Sequence, residues 1–289
     1  MSTDELDLVV VGNLIVDDLV FADGTTRMGQ PGGAVIYVAL AAQLCGLRVG
    51  IASRVGDDYP RDLLDALQAR GIALDGVTPM DGPGARLWLL DEGDRRQVVH
   101  RLDGPTHEEA CPLPDDLPAP WRRARAVHLA PMPFAVHQAW VDGLAGGPML
   151  SLDPFELLRD GETEGWQKLL KPVDVFLFSE DEMSAQDPAT YVAELARHTT
   201  VVYKQGARGG EIHCEGAGSR WFCHSANVVD TTGAGDAFAA GFLAGRLRGD
   251  SLSESARLGA AVASLAVEGR GPEGLLQASP EDLTRRLHS

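Results

Sequence analysis

The sequence predicts an α/β fold: a mostly parallel central sheet, helices on both of its faces, and a small β lid. Three observations carry this expectation. Short apolar runs alternate with helical patterns from one end of the chain to the other. Those runs are apolar at consecutive positions, as strands covered on both faces must be. One more polar segment, 85–102, breaks the beat and reads as two short strands around the turn Glu92-Gly93-Asp94.

Taken in order, "LDLVVVGNLIV" reads as one buried strand, and "GGAVIYVALAAQLCG" as a helix ended by Gly46. "RVGIASRVG" is a strand, and "YPRDLLDALQARG" a helix with Pro60 near its start and Gly71 past its end. The strands "RAVHLAP" and "PMLSLDP" flank the helix "AVHQAWVDGLAG". The strands "VDVFLFS" and "TTVVYKQG" flank "ATYVAELARH". The segment "DGPTHEEACPLPDDLPAPW", with five prolines, reads as a surface connection. A single domain over 1–289 is expected, with lid segments at about 18–31 and 84–103.

Composition sets the outer limits. The chain has 289 residues, 44% hydrophobic and 23% charged, which suffices for a core without staples. A net charge of −17 repels nucleic acid and anionic membrane surfaces on average. The four cysteines show neither CxxC nor zinc-ligand spacing and read as buried free thiols, with Cys214 and Cys223 placed to face each other across a hairpin. The acidic start "MSTDELDLVVVGNLIVDD" reads as neither a signal peptide nor a membrane span, so a cytoplasmic protein is expected.

The chemistry gathers at one rim, because ligands of open parallel sheets sit at the carboxyl ends of the strands. Asn13 and Asp17, Gly56 and Asp57, Ser179 to Glu182, and Gly206 to Gly210 all fall there. The stretch "VVDTTGAGDAFAAGFLAG" leads into a helix whose first N–H groups lack partners. Gly233-Ala234-Gly235 leaves those donors bare, which suits either a tight turn or a nest for phosphate oxygens. Asp236 then complements the helix dipole or takes the proton of an attacking hydroxyl. There is no G-x-x-x-x-G-K-[ST] P-loop, and Phe238 stands where a dinucleotide fingerprint needs a third glycine. Asp17, Asp57 and Gly32-Gly33 also admit ordinary turn and capping roles. His128 reads as a core histidine, Arg208 as solvated, and Lys204 has no settled role on composition alone.

"DTTGAGDAF" resembles the C-terminal signature of the PfkB (ribokinase-like) carbohydrate kinases, and the resemblance runs in order through nearly the whole chain. "VVVGNLIVDD", "PGGAVIYVALAAQLCGLRVGIASRVGDD" and "VYKQGARGG" resemble the first strand, the Gly-Gly motif and the nucleotide-side loop. The resemblance implies Asp236 as catalytic base and Gly233, Ala234 and Gly235 as a backbone anion hole. It implies Asn13, Asp17, Gly32 and Gly33 on the acceptor side, with Lys204, Gly206, Gly209 and Thr232 on the nucleotide side. Glu182 matches an acid that organises Mg2+ through water. The segment "VASLAVEGRGPEG" with the Asp230 loop resembles a monovalent cation site, for K+. Two departures stand out. Ser179 replaces an expected Asn, and few residues separate Asp17 from Gly32, so half of the lid looks abbreviated.

The expected activity is transfer of the γ-phosphate of ATP to a hydroxyl of a small unphosphorylated sugar or cyclitol. "GGAVIY", "SLDPFELLRD" and "FLFSEDEM" are similar to the inositol-kinase-like branch. The acceptor-side segments carry no Arg or Lys to hold an existing phosphate, although Arg86, Arg95, Arg96 and Arg101 lie on the flap. A nucleoside kinase and a non-catalytic sugar or nucleotide sensor are the alternatives. The expected partner is a small polyol, with monomer and homodimer both open.

Overall fold

The computed structural model describes residues 5–91, 96–102 and 104–288. The turn Glu92-Gly93-Asp94, Arg95 and the side chain of Arg96 lie outside the described residues. Thirteen described strands form two sheets. The strands are β1 Leu8–Val11, β2 Ile15–Val20, β3 Thr26–Gly32, β4 Val49–Val55, β5 Ala73–Pro79, β6 Arg86–Asp91 and β7 Arg96–His100. They continue with β8 Ala126–Leu129, β9 Met149–Leu152, β10 Val175–Ser179, β11 Thr200–Lys204, β12 Gly210–Cys214 and β13 Ala217–Trp221.

The large sheet runs β13-β12-β11-β10-β9-β8-β1-β4-β5, parallel from β11 to β5, with β12 and β13 antiparallel at one edge. Helices cover it on both sides because alternate strand residues face opposite ways. Leu8 and Val10 of β1 join one core with α1 (Ala34–Leu44), α2 (Arg61–Ala69), α6 (Ala234–Arg248) and α7 (Leu252–Ala266). Val9 and Val11 join the other with α3 (Phe134–Leu144), α4 (Thr163–Leu170) and α5 (Pro188–Leu195). The short helices α8 (Glu273–Gln277) and α9 (Pro280–His288) close the first side. Glycines let α6 and α7 meet closely: a Cβ on Gly241 would lie 2.8 Å from Gly259 Cα.

The second sheet, β3-β2-β6-β7, is the lid. Here the reading of "LDLVVVGNLIV" as one strand is corrected. The chain leaves the large sheet after Val11 and starts β2 in the lid at Ile15. The side chains force the break: a Cβ on Gly12 would lie 2.9 Å from that of Ala130, and the backbone N–H of Leu14 turns to Ser53 Oγ at 2.9 Å. The stretch between Asp17 and Gly32 is short yet holds a complete β2–β3 hairpin, turned by Phe21 to Thr25. It pairs with β6 in parallel, so the lid has four strands rather than half of a sheet.

The proline-rich connection also proves more than a surface crossing, since Cys111 and Trp121 are buried in the second core. Cys214 and Cys223 do not face each other, because Ala217 pairs with Cys214 and Cys223 lies beyond the end of β13. All four cysteines are free, but Cys223 is exposed and Cys214 half-buried.

A buried charge pair fastens the lid. Asp18 is 1% exposed at its side chain and accepts from Arg86 at 2.6 and 2.7 Å and from the Gly29 amide at 2.7 Å. The Arg86 hydrogen bonds hold its carboxyl below the usual range, against the opposing effect of burial. Asp18→Ala strands the guanidinium and is expected to cost about 2–3 kcal/mol. Hydrogen exchange should report the loss as faster exchange confined to β2, β3 and β6; unchanged lid amides would show the pair to be idle.

Candidate active site

The head of α6 forms the centre of the site. Gly233 is its N-cap and adopts φ 75°, ψ 3°, the left-handed region that a side chain disfavours. Space excludes a side chain as well: a Cβ there would lie 2.0 Å from the Tyr37 ring. Upstream, Asp230 shapes the approach. Its Oδ1 accepts from the Thr232 amide at 2.9 Å and Oγ1 at 2.7 Å, and its Oδ2 accepts from the Gly271 amide at 3.0 Å. The amides of Val229 and Asp230 donate to Val267 O, so the Asp230 loop is tied to the end of α7.

Asp236 lies in the first turn of α6, deep in the cleft but with an edge still open to solvent. Burial pushes its carboxyl up to about 6, the nearby Lys204 ammonium opposes this, and Glu182 adds to it. Lys204 ends β11, and its Nζ donates to both oxygens of Asp153 at 3.0 and 3.3 Å. Burial works against that ammonium's charge, but Asp153, Glu182 and Asp236 outweigh it and hold its proton more tightly than usual. Burial likewise lifts Asp153, to about 7, with Lys204 opposing. A Cβ on Gly235 would come within 3.3 Å of Lys204 Nζ. One lysine and three carboxylates therefore share the head of α6.

Glu182 reaches this group from the turn after β10. Its Oε2 accepts from the Ser179 amide at 2.5 Å and from Ser179 Oγ at 2.9 Å. The serine that stands in place of an Asn thus anchors the acid from its own backbone. Nearby, Gly206 (φ 56°) and Gly209 (φ 86°) shape the turn after β11. A Cβ on Gly209 would lie 2.1 Å from Trp221 O. Arg208 is exposed, as expected, and pairs at the surface with Glu180 of the turn after β10.

The residues expected on the acceptor side come from the crossing between the sheets. Asp17 of β2 pairs across the hairpin with Gln30 of β3, and a Cβ on Gly32 would fall 2.0 Å from the Asp17 Oδ2. Gly33 (φ 98°) leaves no room for a Cβ, with Asn13 O at 2.1 Å. Asn13 is buried, and its amide donates to Cys111 Sγ and to His107 Nε2, both at 3.3 Å. His107 stacks on Phe155 with ring centroids 4.4 Å apart and stands edge-on to His100 of β7. A cavity of about 400 Å³ opens between the lid and the C-terminal loop, lined by Asp17, Gln30, Tyr37, Thr232, Arg27 and Arg270. Thr232, expected on the nucleotide side, lines this cavity with Asp17.

Sequence reasoning missed Asp153, His107, Arg27 and Arg270. Asp153 carried a usable signal, an acid directly after a buried strand at the rim already singled out. His107 carried none, because it is brought in by the connection read as surface. His128 is a core residue, as expected, fully buried and pushed down to about 3 by burial; it is satisfied only in part, bonded through Nδ1 to Ser151 Oγ at 2.8 Å while Nε2 has no partner among the described residues.

Among the described residues, no three His, Cys, Asp or Glu side chains converge as a metal cage, and no helix is long and apolar enough to cross a membrane. The donor set still fits Mg2+, which takes hard oxygen ligands and prefers phosphate and water to an all-protein cage. Glu182 and Asp236 supply carboxylate oxygens beside the helix end where phosphate would lie.

Comparison with known proteins adds the lineage. Residues 150–278 match the family described as pfkB family carbohydrate kinase. The chain is 29% identical over 275 residues to the cytidine kinase of Thermococcus kodakarensis, covering 88% of this chain and 93% of that one. It is 32% identical over 240 residues to the ATP-dependent ribose-1-phosphate kinase of Halopiger xanaduensis, covering 80% and 79%. Its fold is that of Arabidopsis thaliana ribokinase, solved with ribose and ATP, at a TM-score of 0.77 and 22% identity over 99% of both chains. The chain belongs to the pfkB family of carbohydrate kinases, phosphotransferases that act on the alcohol group of a sugar or nucleoside.

Proposed function

We propose that this kinase transfers the γ-phosphate of ATP to a hydroxyl of a small unphosphorylated sugar or cyclitol, with Asp236 as the base. One observation carries the reading: Asp236 sits in the first turn of α6 beside the Gly233-Ala234-Gly235 backbone, and Thr232, just upstream of that turn, lines one cavity with Asp17. The dipole and first turn of α6 favour an anion there, although the Ala234 N–H is already given to Thr231 O at 3.2 Å. The phosphoryl group leaves ADP as its bond to the acceptor oxygen forms, and Asp236 takes the hydroxyl proton. Asn13, Asp17, Gly32 and Gly33 hold the acceptor, with Thr232 on the wall of the same cavity, and Gly206 and Gly209 shape the nucleotide side. Glu182 would help hold the Mg2+ that accompanies ATP, and that ion would supply charge neutralisation at the phosphates.

A base acts in its ionised form. With Asp236 raised to about 6, kcat is expected to rise with pH through about 6 and flatten above it. A limb near 4 in the pH–rate profile would count against a buried base.

The Asp230 loop, tied to Val267 and Gly271, is the proposed seat of a K+ ion beside the nest. Rates are expected to fall when tetramethylammonium replaces potassium at matched ionic strength. Equal rates would remove the cation from the mechanism.

The acceptor is decided by ADP release with myo-inositol, ribose, fructose, adenosine, cytidine, ribose 1-phosphate and fructose 6-phosphate. A cyclitol or free sugar is expected to be turned over with the highest kcat/KM. The absence of Arg and Lys from "GNLIVDD" and "QPGGAVIY" supports this, as do the ties of Arg86 to Asp18 and Arg101 to Asp58. Preference for a phosphorylated sugar would overturn it and would point to Arg27 and Arg270. A nucleoside is the second reading, favoured by the His107–Phe155 stack beside Asn13, a flat surface on which a base can lie.

A further inference from the structure

We infer that Lys204 contacts the transferred phosphoryl group itself, and that Asp153 is the residue that positions it there. The inference rests on the kinase reading above and adds two roles to it.

Lys204 and Asp153 are separated in the sheet by β10. The lysine side chain crosses the end of that strand to reach an acid that is 2% exposed. A buried ion pair at that point has no structural necessity. Apolar residues of similar volume generally stabilise a fold as well or better, because both charges must be stripped of water. What the pair does achieve is location. The two Asp153 oxygens fix Nζ, and among the described residues they are the hydrogen-bond partners that Nζ has. An ammonium carries three donors, so capacity remains.

The fixed point lies against Gly235, where even a methyl group would approach Nζ to 3.3 Å. The glycine therefore keeps open the gap between the first turn of α6 and the ammonium. An anion entering that gap meets helix N–H groups on one side and Lys204 on the other. It also meets Asp236 and Glu182, whose negative charges oppose it. Lys204 is the cation that offsets them. It keeps its proton throughout: the bond from phosphorus to ADP breaks, the bond to the acceptor oxygen forms, and the hydroxyl proton goes to Asp236. Lysine serves this purpose as a point charge, and it must be held because its stem is flexible.

The test compares nucleotides that differ in the γ-phosphate. Affinities for ADP and for β,γ-methylene-ATP, each with Mg2+, are measured by titration calorimetry on wild type, Lys204→Met, Asp153→Asn and the double variant. Lys204→Met is expected to weaken the triphosphate by about tenfold or more while changing ADP less than about twofold. Asp153→Asn is expected to do the same more mildly. The double variant should be no worse than Lys204→Met, since Asp153 acts through the lysine. Equal losses for both nucleotides would place Lys204 elsewhere on the nucleotide and overturn the inference. So would additive losses in the double variant. If Lys204→Met does not fold, the double variant, which removes both charges together, carries the same comparison. Failure of the wild type to bind either nucleotide would refute the kinase reading instead.

Discussion

Asp236→Asn is expected to lower kcat by about 10²-fold or more, with nucleotide affinity retained. The amide keeps the size of the carboxyl, so the head of α6 should be undisturbed. What disappears is the ability to accept a proton from the acceptor hydroxyl. A carboxylate raised to about 6 is well matched to this task near neutral pH, being ionised yet more basic than an ordinary aspartate. Removing its charge also relieves the repulsion that an incoming phosphate would feel from Asp236. ATP binding should therefore hold steady or tighten, and the loss should fall on kcat alone. Steady-state kinetics on the purified variant checks this. Near-normal turnover would sink the assignment of the base.

Gly233→Ala is expected to be the most damaging single-methyl change in the signature. Two penalties coincide at that residue. The left-handed backbone costs a residue with a side chain about 1–2 kcal/mol. The new methyl would also stand 2.0 Å from the Tyr37 ring, a side chain that is itself 5% exposed and has little room to retreat. The N-terminus of α6 must then shift, and with it every donor around the phosphate. We expect kcat to fall by about 10²-fold, the scale on which misplacing a reacting group by about 1 Å acts. Gly235→Ala should be milder. That position is helical, and its nearest neighbour is the far end of a lysine side chain at 3.3 Å. Turnover of the two alanine variants, with circular dichroism to verify folding, tests the order. Equal damage, or the reverse order, would show that crowding by Tyr37 is not what constrains the nest.

Much of the fold was legible because its strands are buried on both faces. Continuous apolar runs such as "LVVV" and "VFLF" declare that environment without help from tertiary contacts. The lid was harder. Its strands are polar on one side, and β2 follows β1 after three residues, so the periodicity runs straight through a change of sheet. Only the close approach of Gly12 to Ala130 reveals the break. In the site, Asp236 and Glu182 could be read because each lies in a local pattern, a glycine-rich helix start and an acid after a strand. Asp153 and His107 act through partners 51 and 94 residues away, Lys204 and Asn13, and such pairings have no trace in local spacing. The arginines of the cavity escaped notice for a similar reason. Arg27 sits just before the segment searched for basic residues, and Arg270 comes from the far end of the chain.

Tyr37 places a limit on how this protein can change its diet. Its ring forms part of the wall of the cavity proposed for the acceptor, abuts Gly233, and brings its hydroxyl near Gly271. One side chain is thus shared by the proposed substrate compartment and the proposed phosphate nest. Trimming it to admit a bulkier acceptor would at the same time leave the phosphate nest without its backing. Descendants that acquire larger substrates should therefore have enlarged the cavity from the opposite side, at Gln30, Arg27 or Leu89, where the lid faces it. Selection for new substrates in the laboratory should follow the same route: lid substitutions accumulate, while the tyrosine and its glycine change together or not at all.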